Sequence, residues 1–201
     1  MWKRLVFVLL VAAWAYHWWA HRELERPPGV LAPEPPRQEG VAGIQQHLQA
    51  GAKITPLASF DLTARVLGVK RYRFDDAASL APYDLALGWG RMSDSAVLSE
   101  IKITQNARFS FWNAKSMPIP REEIVSSCSN MHISPANDAV RAELGRLRVG
   151  HLIRLRGYLA MAERPNHAVW LSSMTRTDAG DGACELIWTE SIEIVDRPTQ
   201  R

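Results

Sequence analysis

Motifs that announce a chemistry are missing from this 201-residue chain. There is no GxxxxGK[ST], no GxGxxG, no HExxH and no GxSxG, so neither a phosphate loop, a dinucleotide fold, a zinc protease nor a serine hydrolase is indicated. Cysteine is scarce: Cys128 and Cys184 are the only two, and they form no CxxC. A thioredoxin-type pair and a zinc ribbon are therefore not indicated. No His/Cys cluster has metal spacing and no loop has calcium spacing, so no metal or cofactor is expected. No sequence period of roughly 20–50 residues repeats, which disfavours a solenoid or a propeller.

A strong excess of one charge is also lacking. The chain has 24 Lys and Arg against 21 Asp and Glu, a net of +3. Two of those charges belong to residues 1–53, which leaves the remainder of the chain at +1. A nucleic-acid binder that works through phosphate contacts carries a concentrated positive field. Nucleic acid is accordingly not an expected partner.

What is present begins at the N-terminus. Lys3 and Arg4 precede LVFVLLVAAWAYHWWA, an apolar run from Leu5 to Ala20 broken only by His17. At about 1.5 Å per residue it makes roughly 24 Å of helix, or about 28 Å counted from Trp2, against a hydrocarbon core of about 30 Å. Lys3 and Arg4 favour a cytoplasmic start, and Trp14, Tyr16, Trp18 and Trp19 suit the far headgroup layer. Residues 1–22 thus read as a signal anchor that tethers the chain to a bacterial inner membrane through residues 2–20. The alternative is a cleaved signal peptide that releases the rest to the periplasm. Either option exports the body.

Residues 23–53 carry Pro27, Pro28, Pro33, Pro35 and Pro36, which favour an extended spacer with no packed core. Folding is expected to start near Ile54 and to run to residue 196, with 197–201 as a tail. In an oxidising compartment, Cys128 and Cys184 are expected to form a disulfide, with two separate buried thiols as the alternative. A bridge closing about 56 residues would stabilise the fold by roughly 4 kcal/mol in the chain-entropy model.

The body alternates with period two. Phe60, Leu62, Ala64, Val66, Tyr72 and Phe74 share one parity, with Gly68 placed where a long strand bulges. DLALGW (84–89), residues 98–105 and 108–112, and IVSSCSNMHI (124–133) are further strand candidates. One helix follows, with Ser134 as its cap, Pro135 in the first position and Ala136, Val140, Leu144 and Leu147 as its stripe. Strands then return over 149–163, 168–175 and 184–195. The expected class is mainly β: a small closed OB-like barrel with one helix, behind a transmembrane helix. A β-sandwich or a curved sheet crossed by the helix is the alternative.

Three passages are dense enough to carry a site. Trp89 and Arg91 follow in GWGRMSD, where a ring between glycines either stacks a ligand or plugs the barrel end. Asn130 and His132 share one strand face with Cys128, and a Cys–His nucleophile pair there would require a free thiol. Arg176 and Asp178 lie in the loop before Cys184, as an ion pair ordering the turn or as part of a polar cluster.

The passages YDLALGWGRMSD, SSCSNMHISPAND, RVGHLIRLRGYLA and WLSSMTRTDAGDGACELIW resemble a family of uncharacterised bacterial proteins with an N-terminal membrane segment and an exported β-rich domain. The likeness covers roughly residues 55–195. It implies a compartment and a fold type and brings no activity. The expected function is a membrane-tethered periplasmic domain that binds an envelope protein or a small ligand. The alternative is an envelope hydrolase or transferase built around Asn130, His132, Arg176 and Asp178.

Overall fold

The computed structural model describes residues 2–41, 43–165, 168–175 and 184–195; within the N-terminal helix it describes side chains only up to Ala15. The chain is mainly β. Its first element is a helix, α1 (Trp2–His21), whose apolar side chains Trp2, Leu5, Phe7, Leu9, Leu10 and Trp14 are each more than half exposed. Among the described residues, no helix is long and apolar enough to cross a membrane.

The alternating apolar runs pair into one mixed sheet. Its strands are β1 (Arg37–Gly40), β2 (His47–Gln49), β3 (Ala52–Arg71), β4 (Tyr83–Gly88), β7 (Cys128–Pro135), β8 (Leu152–Glu163), β9 (Val169–Leu171) and β10 (Glu185–Ile194). Strand β3 pairs antiparallel with both β4 and β8. Strand β4 pairs with β7, β7 runs parallel to β10, and β10 pairs with β8. The five ladders return to their starting strand. A second, two-stranded sheet is formed by β5 (Ile101–Asn106) and β6 (Phe109–Ala114), inserted between β4 and β7.

One face of this circuit holds the main core. Phe60, Leu62, Val66, Leu85, Leu87, Met131, Ile133, Leu155 and Ile187 meet there, joined by Val140 and Leu144 of α4 (Asp138–Leu144). Full burial of an aliphatic side chain stabilises by about 1.5–3 kcal/mol, so those two positions fix the helix more firmly than its seven residues of backbone could. Two register shifts let β3 coil. One falls between Val66 and Gly68, where a bulge is expected, and one between Pro56 and Ala58. After the second shift the strand changes the side it buries: Ile54 packs with Ala162, Leu186 and Trp188 in a separate cluster, whereas Ala58 joins the main core.

Several local expectations are corrected. Helix α4 is capped by Asn137, whose Oδ1 accepts the Val140 N–H at 2.9 Å, and Pro135 ends β7 instead of opening a helix. Ile124 belongs to a short helix, α3 (Arg121–Ser126), where Pro120 precedes the first turn and Glu122 and Glu123 complement its positive end. A further short helix, α2 (Ser95–Leu98), follows a 3-10 turn at Gly90–Ser93, so α4 is not the lone helix of the body. Tyr72 and Phe74 lie beyond β3, and Phe74 is 96% exposed. Cys128 and Cys184 are not joined by the expected disulfide. The Cys128 thiol donates to the Ile124 carbonyl at 3.1 Å, and burial pushes its pKa up to about 12.

The segment expected to be a loose spacer is laid onto the body. Leu24 N–H donates to Val149 O at 2.9 Å, and Arg26 Nε to Gly150 O at 2.8 Å. The strap approaches Gly150 so closely that a Cβ there would stand 2.3 Å from Leu24 O, in a backbone with φ of +93°. Only glycine fits. Gly29 N–H reaches Asp94 Oδ1, and the Leu31 and Ala32 amides share Ser93 Oγ. Ala32 itself is buried in the main core. Further on, β1 and β2 pair with β3, His47 stacks on Trp188, and the Trp188 indole donates to Gln49 Oε1 at 2.8 Å. Proline removes amide donors but leaves the others free to be used, and the body supplies their acceptors.

Candidate functional site

The polar residues of β4 and β7 gather on the face opposite the main core. In β4, Tyr83, Leu85 and Leu87 enter that core, which turns Asp84, Ala86 and Gly88 the other way. The register sets Asp84 opposite His132, Ala86 opposite Asn130 and Gly88 opposite Cys128. Asp84 Oδ1 lies 2.8 Å from His132 Nδ1. An ionised carboxylate only accepts, so the Nδ1 proton is assigned to this bond. The imidazole also packs against Trp170, with ring centroids 4.7 Å apart.

Arg108 closes this row from the tip of the β5–β6 hairpin. Ala107 and Arg108 have φ of 47° and 70°, the left-handed pair that a two-residue hairpin turn requires. From that turn the guanidinium donates through Nη1 to Asp84 Oδ1 at 3.0 Å and to Ala81 O at 2.7 Å. Its other edge forks onto Asp75, at 3.0 and 2.6 Å. The group lies 3.7 Å from the centroid of the Tyr72 ring, and the Arg108 N–H donates to the Tyr72 hydroxyl. Desolvation raises the pKa of that hydroxyl. Asn130 Nδ2 donates to Arg108 O, and Gln105 Nε2 donates to Asn130 Oδ1.

Chemically this is a clasp. Asp84 is 1% exposed and His132 4% exposed, and Asp84 Oδ2 is buried without a partner. His132 Nε2 makes no hydrogen bond among the described residues. The Asp–His bond is the orienting half of an acid–base pair, but no described nucleophile stands within hydrogen-bond reach of the imidazole.

Two of the cavities that lie elsewhere carry both cations and carboxylates. One, of about 330 Å³, is a groove of mixed charge over Arg37, Glu39, Asp61, Arg156 and Glu190. The Arg154 guanidinium, bonded to Asp61 at 2.8 and 3.2 Å, holds the Asp61 carboxyl below its usual range, and Arg156 adds to this. The other, of about 220 Å³, is lined by Glu23, Arg65, Lys102 and apolar side chains.

No family model, no curated protein and no solved structure matches this chain.

The residues singled out in the sequence do not converge on one surface. Trp89 is 3% exposed and belongs to the main core, just beyond the end of β4. Arg91 is exposed and forks onto Glu123 of α3, which lowers the Glu123 pKa. Asn130 and His132 do share a face, under Arg108 and Gln105. Arg176 and Asp178 lie outside the described residues. Sequence reasoning missed Asp84, Arg108 and Arg65. Asp84 carried a usable signal, being the only charge in DLALGW, since a charge inside an apolar strand needs a partner.

Proposed function

We propose that the chain is a membrane-tethered binding domain of OB-like architecture, exported across a bacterial inner membrane to engage an envelope component. The observation that carries the proposal is α1: its apolar side chains from Trp2 to Trp14 stand exposed, and two basic residues sit at their start. An exposed apolar helix of this length is a membrane or partner anchor. The strap bonded to Val149, Gly150 and Asp94 then holds the body close to whatever receives the helix.

The ladder circuit supports an OB-like barrel, with its parallel β7–β10 closure and α4 between the third and fourth strands of the circuit. OB folds bind oligonucleotides over the second and third strands. Here the β5–β6 hairpin covers that face, which, with a body near neutrality, favours a protein or small-ligand partner. The likeness to exported membrane-anchored proteins points the same way.

The test is flotation on phospholipid vesicles with full chain and with a chain lacking residues 1–21. Co-flotation of the full chain alone is expected; equal behaviour of the two forms would refute the tether. A periplasmic reporter fused to the C-terminus is expected to be active, and an inactive one would refute export.

The Asp84–His132 bond favours a second reading, an envelope hydrolase or transferase. Turnover lost in a folded His132→Ala variant would establish it over the binding reading.

A further inference from the structure

Among the described residues, Arg65 is a buried cation without a contact counter-ion. It stands on β3 opposite Gly88 and is 4% exposed. Nη1 donates to Ser93 O at 3.2 Å and to Ser95 Oγ at 2.6 Å, both neutral acceptors. Nε is buried with no partner. Among the described residues no carboxylate comes within ion-pair distance; Glu23 and Asp94 act on Arg65 only through space. Asp94 Oδ1 is already occupied by the Gly29 and Ala96 amides. Desolvation lowers the arginine's pKa and the nearby Arg26 charge adds to this, while Glu23 and Asp94 oppose it through space.

The same side chain lines the cavity of about 220 Å³. Lys102 brings a second cation to its rim, Glu23 a single carboxylate, and Leu67, Ile101 and Ile103 supply apolar wall. Two cations to one acid, beside apolar side chains, match an anionic head on a short hydrocarbon stem. The volume is below that of ordinary drug-sized pockets, so the occupant is small or enters by one end. Glu23 is two residues beyond the end of α1, and Leu24 is fixed to Val149, so the cavity adjoins the point where the apolar helix stops.

We propose that this cavity binds a phosphate-type oxyanion carried on a short apolar stem, with Arg65 and Lys102 as its cationic contacts. A lipid headgroup and a free alkyl phosphate share that chemistry. Glu23 competes with the ligand for the two cations and weakens its binding. The site does not depend on α1 entering a membrane. Failed flotation would remove the tether and leave the binding of a free alkyl phosphate intact.

The experiment uses the full chain in neutral detergent, titrated with monobutyl phosphate by calorimetry. Vesicles of phosphatidylcholine, with and without phosphatidic acid, form a second arm. Saturable binding of monobutyl phosphate is expected, weakened at least tenfold by Arg65→Met and several-fold by Lys102→Gln, and tightened by Glu23→Gln. Binding of the free phosphate identifies a soluble ligand as sufficient. A phosphatidic-acid preference alone, lost in the same variants, identifies the headgroup. If Arg65→Met fails to fold, the exposed positions Lys102 and Glu23 decide, with Arg156→Gln as a control expected to bind normally. The proposal is overturned by absence of both saturable binding and phosphatidic-acid preference, or by binding indifferent to Lys102→Gln and Glu23→Gln.

Discussion

Asp84 and His132 face each other across adjacent antiparallel strands, and the imidazole Nδ1 lies 2.8 Å from the carboxylate Oδ1. Arg108 reaches the same oxygen from a hairpin that is 24 residues further along the chain. The carboxylate therefore joins the sheet to the insert that covers it. Removing its charge leaves Arg108 with the more exposed Asp75 as its remaining counter-ion and takes the charged acceptor from His132. Asp84→Asn is expected to cost about 3 kcal/mol, as breaking one side of a buried pair usually does. Urea unfolding measures it; an unchanged midpoint would show that the clasp contributes nothing.

Asp94 ties the strap to the body. Its carboxylate accepts the Gly29 and Ala96 amides, which hold its pKa below the ordinary carboxylate range. A depressed carboxyl contributes its stability above the unfolded pKa and loses it as pH falls through the folded value. Protection of the Gly29 amide in hydrogen exchange is expected to persist at neutral pH and to fade below about pH 4. Asp94→Ala is expected to abolish it at every pH and to lower stability by about 1 kcal/mol. Protection that survives the substitution would mean that Ser93 alone holds the strap.

The Cys128 thiol, pushed up to about 12, is almost wholly protonated at neutral pH. Alkylation of the folded protein at pH 8 is expected to be far slower at Cys128 than with a free thiol, because the thiolate is the nucleophile. Non-reducing mass spectrometry is expected to find both cysteines reduced, and reductant to leave the melting temperature unchanged. A mass two hydrogens lighter would contradict the absence of a disulfide.

Gly157 carries the closest approach in the sheet. A Cβ added there would lie 2.1 Å from the Trp188 carbonyl oxygen and 2.9 Å from Thr189 Cα, both backbone atoms. Backbone on two paired strands cannot yield as a side-chain tip can. Gly157→Ala is expected to destabilise by about 3 kcal/mol or more, read as loss of the cooperative thermal transition. A variant with wild-type melting would show that the β8–β10 ladder shifts freely.

Much of the strand framework was legible because alternation records which side of a strand is covered. Phe60 to Val66 and Tyr83 to Leu87 follow it, and Gly68 marks a real shift in register. The same rule misled at Arg65, which has the parity of a solvent-facing residue but is covered by Ser93 and Ser95. Parity reports that two faces differ and cannot report what a later segment lays over the outer one. Proline density misled in the strap for a related reason: it predicts an extended chain, which is equally the shape of a strand pinned to a surface. Asn130 and His132 were correctly placed on one face. The sequence leaves Trp89 open between stacking and plugging, and only the tertiary structure buries it in the main core.

By itself the sequence determined a mainly β body, a basic-then-apolar N-terminal helix and the place of the β3 bulge. Each of these is set by neighbouring residues, through side-chain period, chain stiffness and the room that glycine leaves. The tertiary structure alone decided that the cysteines stay apart, that the strap is docked, and that Arg108 meets Asp84 while Arg65 meets no acid among the described residues. Those outcomes depend on the pairing of distant strands and on what covers their outer faces. Both are fixed by the closing of the fold, not by any local run of residues.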